Sequence, residues 1–282
     1  MKMKIGKMRN NKIMILAMVL MFCFVTSGCS KIDELKVKAG LKNNDFEYIK
    51  QGKIETIVIQ NTRDQGFRFT VTDKNVINEI YDVLSKAKVS SKKSSLEPDY
   101  TFEMKESNNK IHKFSYITGL DKKDAGNFYS DNKTYIVSKR IDSDIINTYW
   151  NIRKPKNFKE VYYKSIIGVL DQYLKDSNKN KSIGVNLKSD VDCAKFILST
   201  DLQDFNSNLS SKFKTVKVAD KDKDNYDIWL TIKTEGYKST MYKATVTLWD
   251  KEAKTEKKYY IDDNYKTGSW DLNITNTKPD KF

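Results

Sequence analysis

An unbroken uncharged run, Ile13 through Val25, divides this chain before any question of fold arises. Lys2, Lys4, Lys7, Arg9 and Lys12 precede it without one acidic residue, and Thr26-Ser27-Gly28-Cys29 come directly after it. A basic start, a short apolar stretch and small residues ahead of a cut site are the three parts of a secretory signal. The run has 13 residues, whereas a bilayer-spanning helix needs roughly 20. Residues 1–28 are therefore expected to be a removed leader, and the fold must be built from Cys29 onward.

Val25-Thr26-Ser27-Gly28-Cys29 resembles the bacterial lipobox, with Thr26 standing where Leu is usual. The resemblance implies cleavage between Gly28 and Cys29 and a diacylglyceryl group on the Cys29 sulfur, which only a thiol at that position can accept. Buried acyl methylenes contribute about 0.8 kcal/mol each, so the lipid makes a stable anchor. The expected location is the cell membrane, lipid-anchored and facing the extracytoplasmic side, with membrane lipid as the partner of Cys29. An ordinary secretory signal with an incidental cysteine is the alternative.

Cysteine usage agrees with this division. Cys23 lies in the leader, which leaves Cys193 as the only thiol beyond Cys29, so no internal disulfide framework can form. In the helix-like run Val191-Asp192-Cys193-Ala194-Lys195-Phe196-Ile197-Leu198, Cys193 falls on the shoulder of an apolar face made by Val191, Ala194, Ile197 and Leu198. A small buried hydrophobe is its expected role.

Charge excludes one class of partner. Without the five leader cations the chain carries 46 basic and 37 acidic residues, or +9. This charge is spread: +6 before about residue 160 and +3 after it. Only Arg63, Arg68, Arg140 and Arg153 are arginines in that body, although Arg dominates base-specific readout. Nucleic acid is therefore not an expected partner. Lys36, Lys38 and Lys42 near the anchor suit anionic lipid or an anionic envelope polymer, and another envelope protein is the further candidate. A lysine-rich solvated surface is the preferred reading, because scattered Lys alone identifies no partner.

Apolar periodicity then predicts an α+β chain of two small domains, each an antiparallel sheet packed with helices, behind the leader and a tether. Residues 29–52 read as anchor and tether, reaching some 70 Å when extended at about 3.3 Å per residue. Residues 53–154 open with strand patterns at Ile54–Ile59 and Phe67–Val71, joined by a turn from Asn61 to Gly66. Asp73 is placed to cap a helix whose Val76, Ile77, Ile80, Tyr81, Val83 and Leu84 share one side. Strand patterns come next at Tyr100–Lys105, Lys110–Ile117, Asn127–Tyr129 and Thr134–Val137, then a helix near Arg140–Ile152. Residues 155–282 open with a helix carrying Tyr162, Ile166, Val169, Leu170 and Tyr173, and pass to a strand at Ile183–Leu187. Helical turns run from Asp190 to about Leu209. Four strand patterns complete the chain, at Phe213–Val218, Asp227–Lys233, Tyr242–Trp249 and Lys257–Asp262. Thr245, Thr247 and Trp249 alternate with Val246 and Leu248, so one face should be wet and the other buried.

Within residues 53 to about 150 stand Ile54-Glu55-Thr56-Ile57-Val58-Ile59, Phe69, Asp73-Lys74, Glu97-Pro98-Asp99-Tyr100 and Tyr135-Ile136-Val137-Ser138-Lys139. In these residues the segment resembles the YhfM-like lipoprotein domain of Gram-positive bacteria. It implies a cell-envelope lipoprotein and assigns no catalytic role. Residues 155–282 carry no such resemblance.

Three patterns imitate chemistry. Ser90-Ser91-Lys92-Lys93, Ser130-Asp131-Asn132 and Lys266-Thr267-Gly268 reproduce, in order, the signature of penicillin-recognising enzymes. Ser90 nevertheless lies in a polar loop, not at the start of a buried helix, and chance explains the match. Asp220, Asp222 and Asp224 have the oxygen spacing of a calcium loop and are a weak metal candidate. Position six is Asn225 instead of Gly, position twelve is Thr231 instead of Glu, and Lys221 and Lys223 offset charge. His112 shares a strand face with Phe114 and Tyr116 and is expected to be structural. The sixteen Tyr and the four Trp (Trp150, Trp229, Trp249, Trp270) could stack on sugar rings, but most sit at core-compatible spacing and a core role is expected for them. No catalytic set and no cofactor motif emerges. The expectation is a non-catalytic binding or interaction module at the cell envelope. A cell-wall hydrolase or transferase, which needs converging carboxylates in a cleft, and a solute-binding component of a transporter are the alternatives.

Overall fold

A computed structural model describes residues 41–120, 125–147, 154–176, 180–280 and 282. The leader, Cys29 and the residues up to 40 lie outside that range, as do Tyr149, Trp150 and Ile152 of the expected helix after Arg140. The chain is α+β, with two seven-stranded sheets.

The first sheet is antiparallel throughout. It comprises β1 (Ile54–Asn61), β2 (Arg68–Val71), β3 (Lys88–Val89), β4 (Tyr100–Glu106), β5 (Ile111–Tyr116), β6 (Phe128–Tyr129) and β7 (Thr134–Ile136), in the order β2-β1-β4-β5-β6-β7-β3. Period-two burial explains it: Ile57 and Ile59 of β1, with Tyr100, Phe102 and Met104 of β4, turn to one face and are fully enclosed. Residues 43–52 include a short helix, α1 (Glu47–Lys50), and helix α2 (Lys74–Leu84) lies on β1. The Asp73 carboxylate accepts from Asn75 N–H at 2.7 Å, as its capping position predicts.

Residues 43–52 depart from the tether expected of them. Asn43 donates its amide to the carbonyls of Leu84 and Ala87, closing the end of α2. Phe46 packs against Phe114 and Tyr135, and Ile49 of α1 is buried. Two apolar residues in a polar stretch make too weak a periodicity to identify this segment as core. The helix expected after Arg140 appears in the described residues as a π-helical turn, Ile141–Ile146, that buries Ile141, Ile145 and Ile146.

The second sheet runs β13-β12-β11-β10-β8-β9, with β14 (Ile274–Thr275) paired to β12. Its other strands are β8 (Ile183–Asn186), β9 (Val216–Val218), β10 (Ile228–Lys238), β11 (Met241–Asp250), β12 (Thr255–Lys266) and β13 (Ser269–Asp271). Helix α3 (Phe158–Asp176) lies on β11 and β12. Tyr242, Ala244, Val246 and Leu248 are enclosed, while Thr245, Thr247 and Trp249 stay partly exposed, as the alternation predicts.

An antiparallel sheet was expected in this half, and β8 corrects that, because it is parallel to both β10 and β9. The connection from β8 to β9 carries a 3-10 turn (Ala194–Phe196) and helix α4 (Ser199–Lys212), long enough for the crossover that parallel neighbours require. Helix α4 packs on β9 and against α3.

Gly184 of β8 stands opposite Trp229 of β10. A Cβ there would lie 2.6 Å from the Trp229 ring and 2.8 Å from the Tyr226 ring. Gly184→Ala is expected to lower stability by about 1–3 kcal/mol through overpacking; urea unfolding followed by tryptophan fluorescence measures it.

Candidate functional site

The two sheets meet where the loop after β1, the entry to β4 and the start of α4 converge. Asn61 builds the first of these. Its buried side-chain oxygen accepts the backbone N–H of Arg63 at 2.9 Å and of Asp64 at 2.8 Å, which makes the turn expected from Asn61 to Gly66. Thr62 then donates its hydroxyl to the carbonyl of Pro98 at 2.6 Å, joining this turn to the Glu97-Pro98-Asp99 entry.

Asp99 is the centre of the arrangement and is fully buried. One carboxylate oxygen accepts from Arg63 Nη1 at 2.6 Å and from Ser199 N–H at 2.8 Å; the other accepts from Thr118 N–H at 2.8 Å. Ser199 opens α4, and the residue before it, Leu198, has no side-chain acceptor to cap the helix. Asp99 therefore caps a helix that begins 100 residues further along the chain, placing negative charge at the positive end of its dipole. Arg63 Nη2 donates to Ser199 Oγ, which donates to the Glu97 carbonyl at 2.7 Å. Thr200 Oγ1 bonds the Thr118 carbonyl at 3.1 Å, and Asn61 Nδ2 bonds the Lys195 carbonyl at 3.4 Å.

Beside this clasp opens a cleft with a volume of about 720 Å³. The first sheet's loops supply a polar wall of Thr62, Arg63, Asp64, Gln65, Glu97 and Pro98. The opposite wall is largely apolar: Leu187, Val191, Ala194, Ile197, Leu202 and Val218. Lys188 and Asp220 also line the cleft and pair at 2.9 Å. Leu187 and Lys188 come after β8, and Asp220 comes after β9, so the cleft lies at the carboxyl ends of two adjacent parallel strands. Open parallel sheets place ligands in that position. The volume and the mixture of apolar wall with few polar groups fit a ligand pocket between structural units.

The sequence-derived candidates fall elsewhere or apart. Gly28 and Cys29 lie outside the described residues. Asp220 turns to Lys188, Asp222 takes a left-handed backbone (φ 63°), and the Asp224 carbonyl accepts from Lys251. No three His, Cys, Asp or Glu side chains among the described residues gather as a metal site, so Asp220, Asp222 and Asp224 are not brought together. Cys193 is enclosed, accepts from Thr234 Oγ1 at 3.2 Å, and has its thiol pushed up to about 12 by burial. Val191, expected on the same buried face, is instead 72% exposed at the cleft. His112 stacks on Tyr48 at 4.0 Å and its Nε2 lies 2.6 Å from Glu106 Oε1, a bond that holds the Glu106 carboxyl below its usual range. Ser90 bonds the Lys92 carbonyl, whereas Lys266 ends β12 of the other sheet and Thr267-Gly268 form its turn into β13.

Three carboxyl groups are pushed up by burial, and none lines the cleft. Asp190 is bonded by Thr234, and Asp263, raised to about 6, by Ser165 and Asn273 N–H. Asp142 is raised to about 7, first by burial and then by nearby Asp99, against the bond that Tyr116 Oη donates to it at 2.6 Å, which lowers it.

In the sequence Arg63 and Ser199 have no site role, and Asp99 has only its place in Glu97-Pro98-Asp99-Tyr100. No local signal marks them, because the helical turns expected from Asp190 hide the uncapped start of α4 at Ser199. Arg63→Met leaves Asp99 buried without its cation and should cost about 3–5 kcal/mol of stability, measured by urea unfolding. Breaking the exposed Lys188–Asp220 pair should cost about 0–1 kcal/mol.

The raised Asp142 carboxyl sets a pH dependence. The folded chain holds a proton that the unfolded chain releases near pH 4, so Asp142 lowers stability as pH rises from about 4 through about 7. Asp142→Asn should flatten that part of the stability curve, and an unchanged slope in urea titrations at pH 5 and 8 would contradict it.

No curated protein and no solved structure matches the chain. Residues 50–155, which contain all of the first sheet together with Arg63 and Asp99 but not α4, match the family model of the YhfM protein, so this part of the chain is YhfM-like.

Proposed function

We propose that this chain is a lipid-anchored extracytoplasmic lipoprotein whose folded body is a non-catalytic binding module working at the cleft between its two sheets. The observation that carries the anchor is the Cys29 thiol placed directly after Gly28 and close behind the run Ile13–Val25. The YhfM-like segment supports an envelope role, because that resemblance implies a cell-envelope lipoprotein. From Cys29 to Asn43, where packing begins, an extended chain of 14 steps spans at most about 50 Å. The body thus works close to the membrane.

The cleft supports binding over turnover. Its acidic groups are partly committed: Asp220 to Lys188 and Asp64, at 3.9 Å, to Lys195. The buried carboxyls with raised titration are each bonded elsewhere. A hydrolase or transferase would need two such groups facing one another across the opening.

Metabolic labelling with an alkynyl fatty acid tests the anchor. Wild-type chain should take up label and stay with membranes, and Cys29→Ala should do neither; persistence of label in that variant would refute the assignment.

A further inference from the structure

The cleft reaches the free edge of the second sheet at Val218, the last residue of β9. Ile183 N–H donates to the Thr215 carbonyl and Ala219 N–H to the Val185 carbonyl, each at 2.9 Å. In a parallel ladder this turns the N–H and C=O of Lys217 toward β8 and those of Val216 and Val218 away from it. Strand β9 ends the sheet, so the outward groups of Val218 have no partner among the described residues. Val218 also lines the cleft, beside the exposed Val191.

Charge narrows the occupant. A helix start behind parallel strands ordinarily favours an anion, but the start of α4 already holds the Asp99 carboxylate. Arg63 is committed to Asp99, Lys188 to Asp220 and Lys195 to Asp64. The Glu97 carboxylate remains, exposed and without a side-chain partner among the described residues. The uncompensated charge at the cleft is therefore negative and complements a cation.

We propose that the cleft takes an extended peptide segment of a partner protein, paired along the β9 edge at Val218, with an apolar side chain against Val191 and a basic side chain on Glu97. Backbone pairing supplies affinity and the side-chain contacts supply choice, as in other cases of strand addition to a sheet edge. This rests on the reading of the cleft as the binding site.

The test uses the full chain in phosphatidylcholine vesicles, with dansyl-labelled Val-Leu-Val-Lys amide and its Glu counterpart as probes. The Lys peptide should bind about tenfold tighter than the Glu peptide, and Glu97→Lys should reverse that order. Val191→Asp, at an exposed position that leaves the fold intact by circular dichroism, should weaken both peptides by about tenfold, and so should N-methylation of the peptide amides. Equal binding of the two peptides, no binding, or indifference to Val191→Asp or to N-methylation each overturns the proposal. Cys29→Ala should leave peptide affinity unchanged, so a failure of anchoring is read separately from a failure of peptide recognition.

Discussion

The Asp99 carboxylate does two jobs that are usually separate. It balances a guanidinium from its own sheet, and it caps a helix belonging to the other. A fully enclosed carboxylate is unfavourable unless its lone pairs are bonded and its charge is met. Arg63, Thr118 N–H and Ser199 N–H meet both conditions together. None of the three suffices alone, and they come from both halves of the chain. Docking of the second sheet therefore completes the solvation of a group on the first, which makes the two parts one body.

That junction also shapes the cleft. The turn built on Asn61 and the Pro98 entry form its polar wall only because Thr62 ties them together and Ser199 ties them to α4. The opposite wall comes from the crossover between β8 and β9. Because that crossover must return the chain parallel to β8, its first residues lie beyond the strand's carboxyl end, and Leu187 and Val191 are left facing the opening. The anion position expected at such a crossover is occupied internally by Asp99. At the opening there remain apolar surface, a strand edge and one acidic group.

Much of the fold was legible. The cap at Asp73, the apolar side of α2, the turn at Asn61–Gly66 and the wet face of β11 are all local patterns, set by residues within a few positions of one another. Legibility failed where a distant partner decided. Phe46 and Ile49 read as tether because two apolar residues make no period, yet a docking surface on the first sheet awaited them. Val191 fits an apolar helix face by its spacing, but the helix starts only at Ser199, and the residue lies in an irregular segment whose side is set by the cleft. Asp99 stands 36 positions from Arg63 and 100 from Ser199 along the chain, and no periodicity relates them.

The sequence by itself determined the basic start, the uncharged run and the thiol at Cys29, the α+β class, and the YhfM-like character of the first sheet. These rest on residue chemistry and on spacing over a few positions. Only the tertiary structure decided that β8 is parallel to its neighbours, that Asp99 caps α4, and that a cleft opens between the two sheets. Each of those depends on which backbone donors are left unsatisfied after local folding and which distant group reaches them, and a linear order of residues does not state that distance.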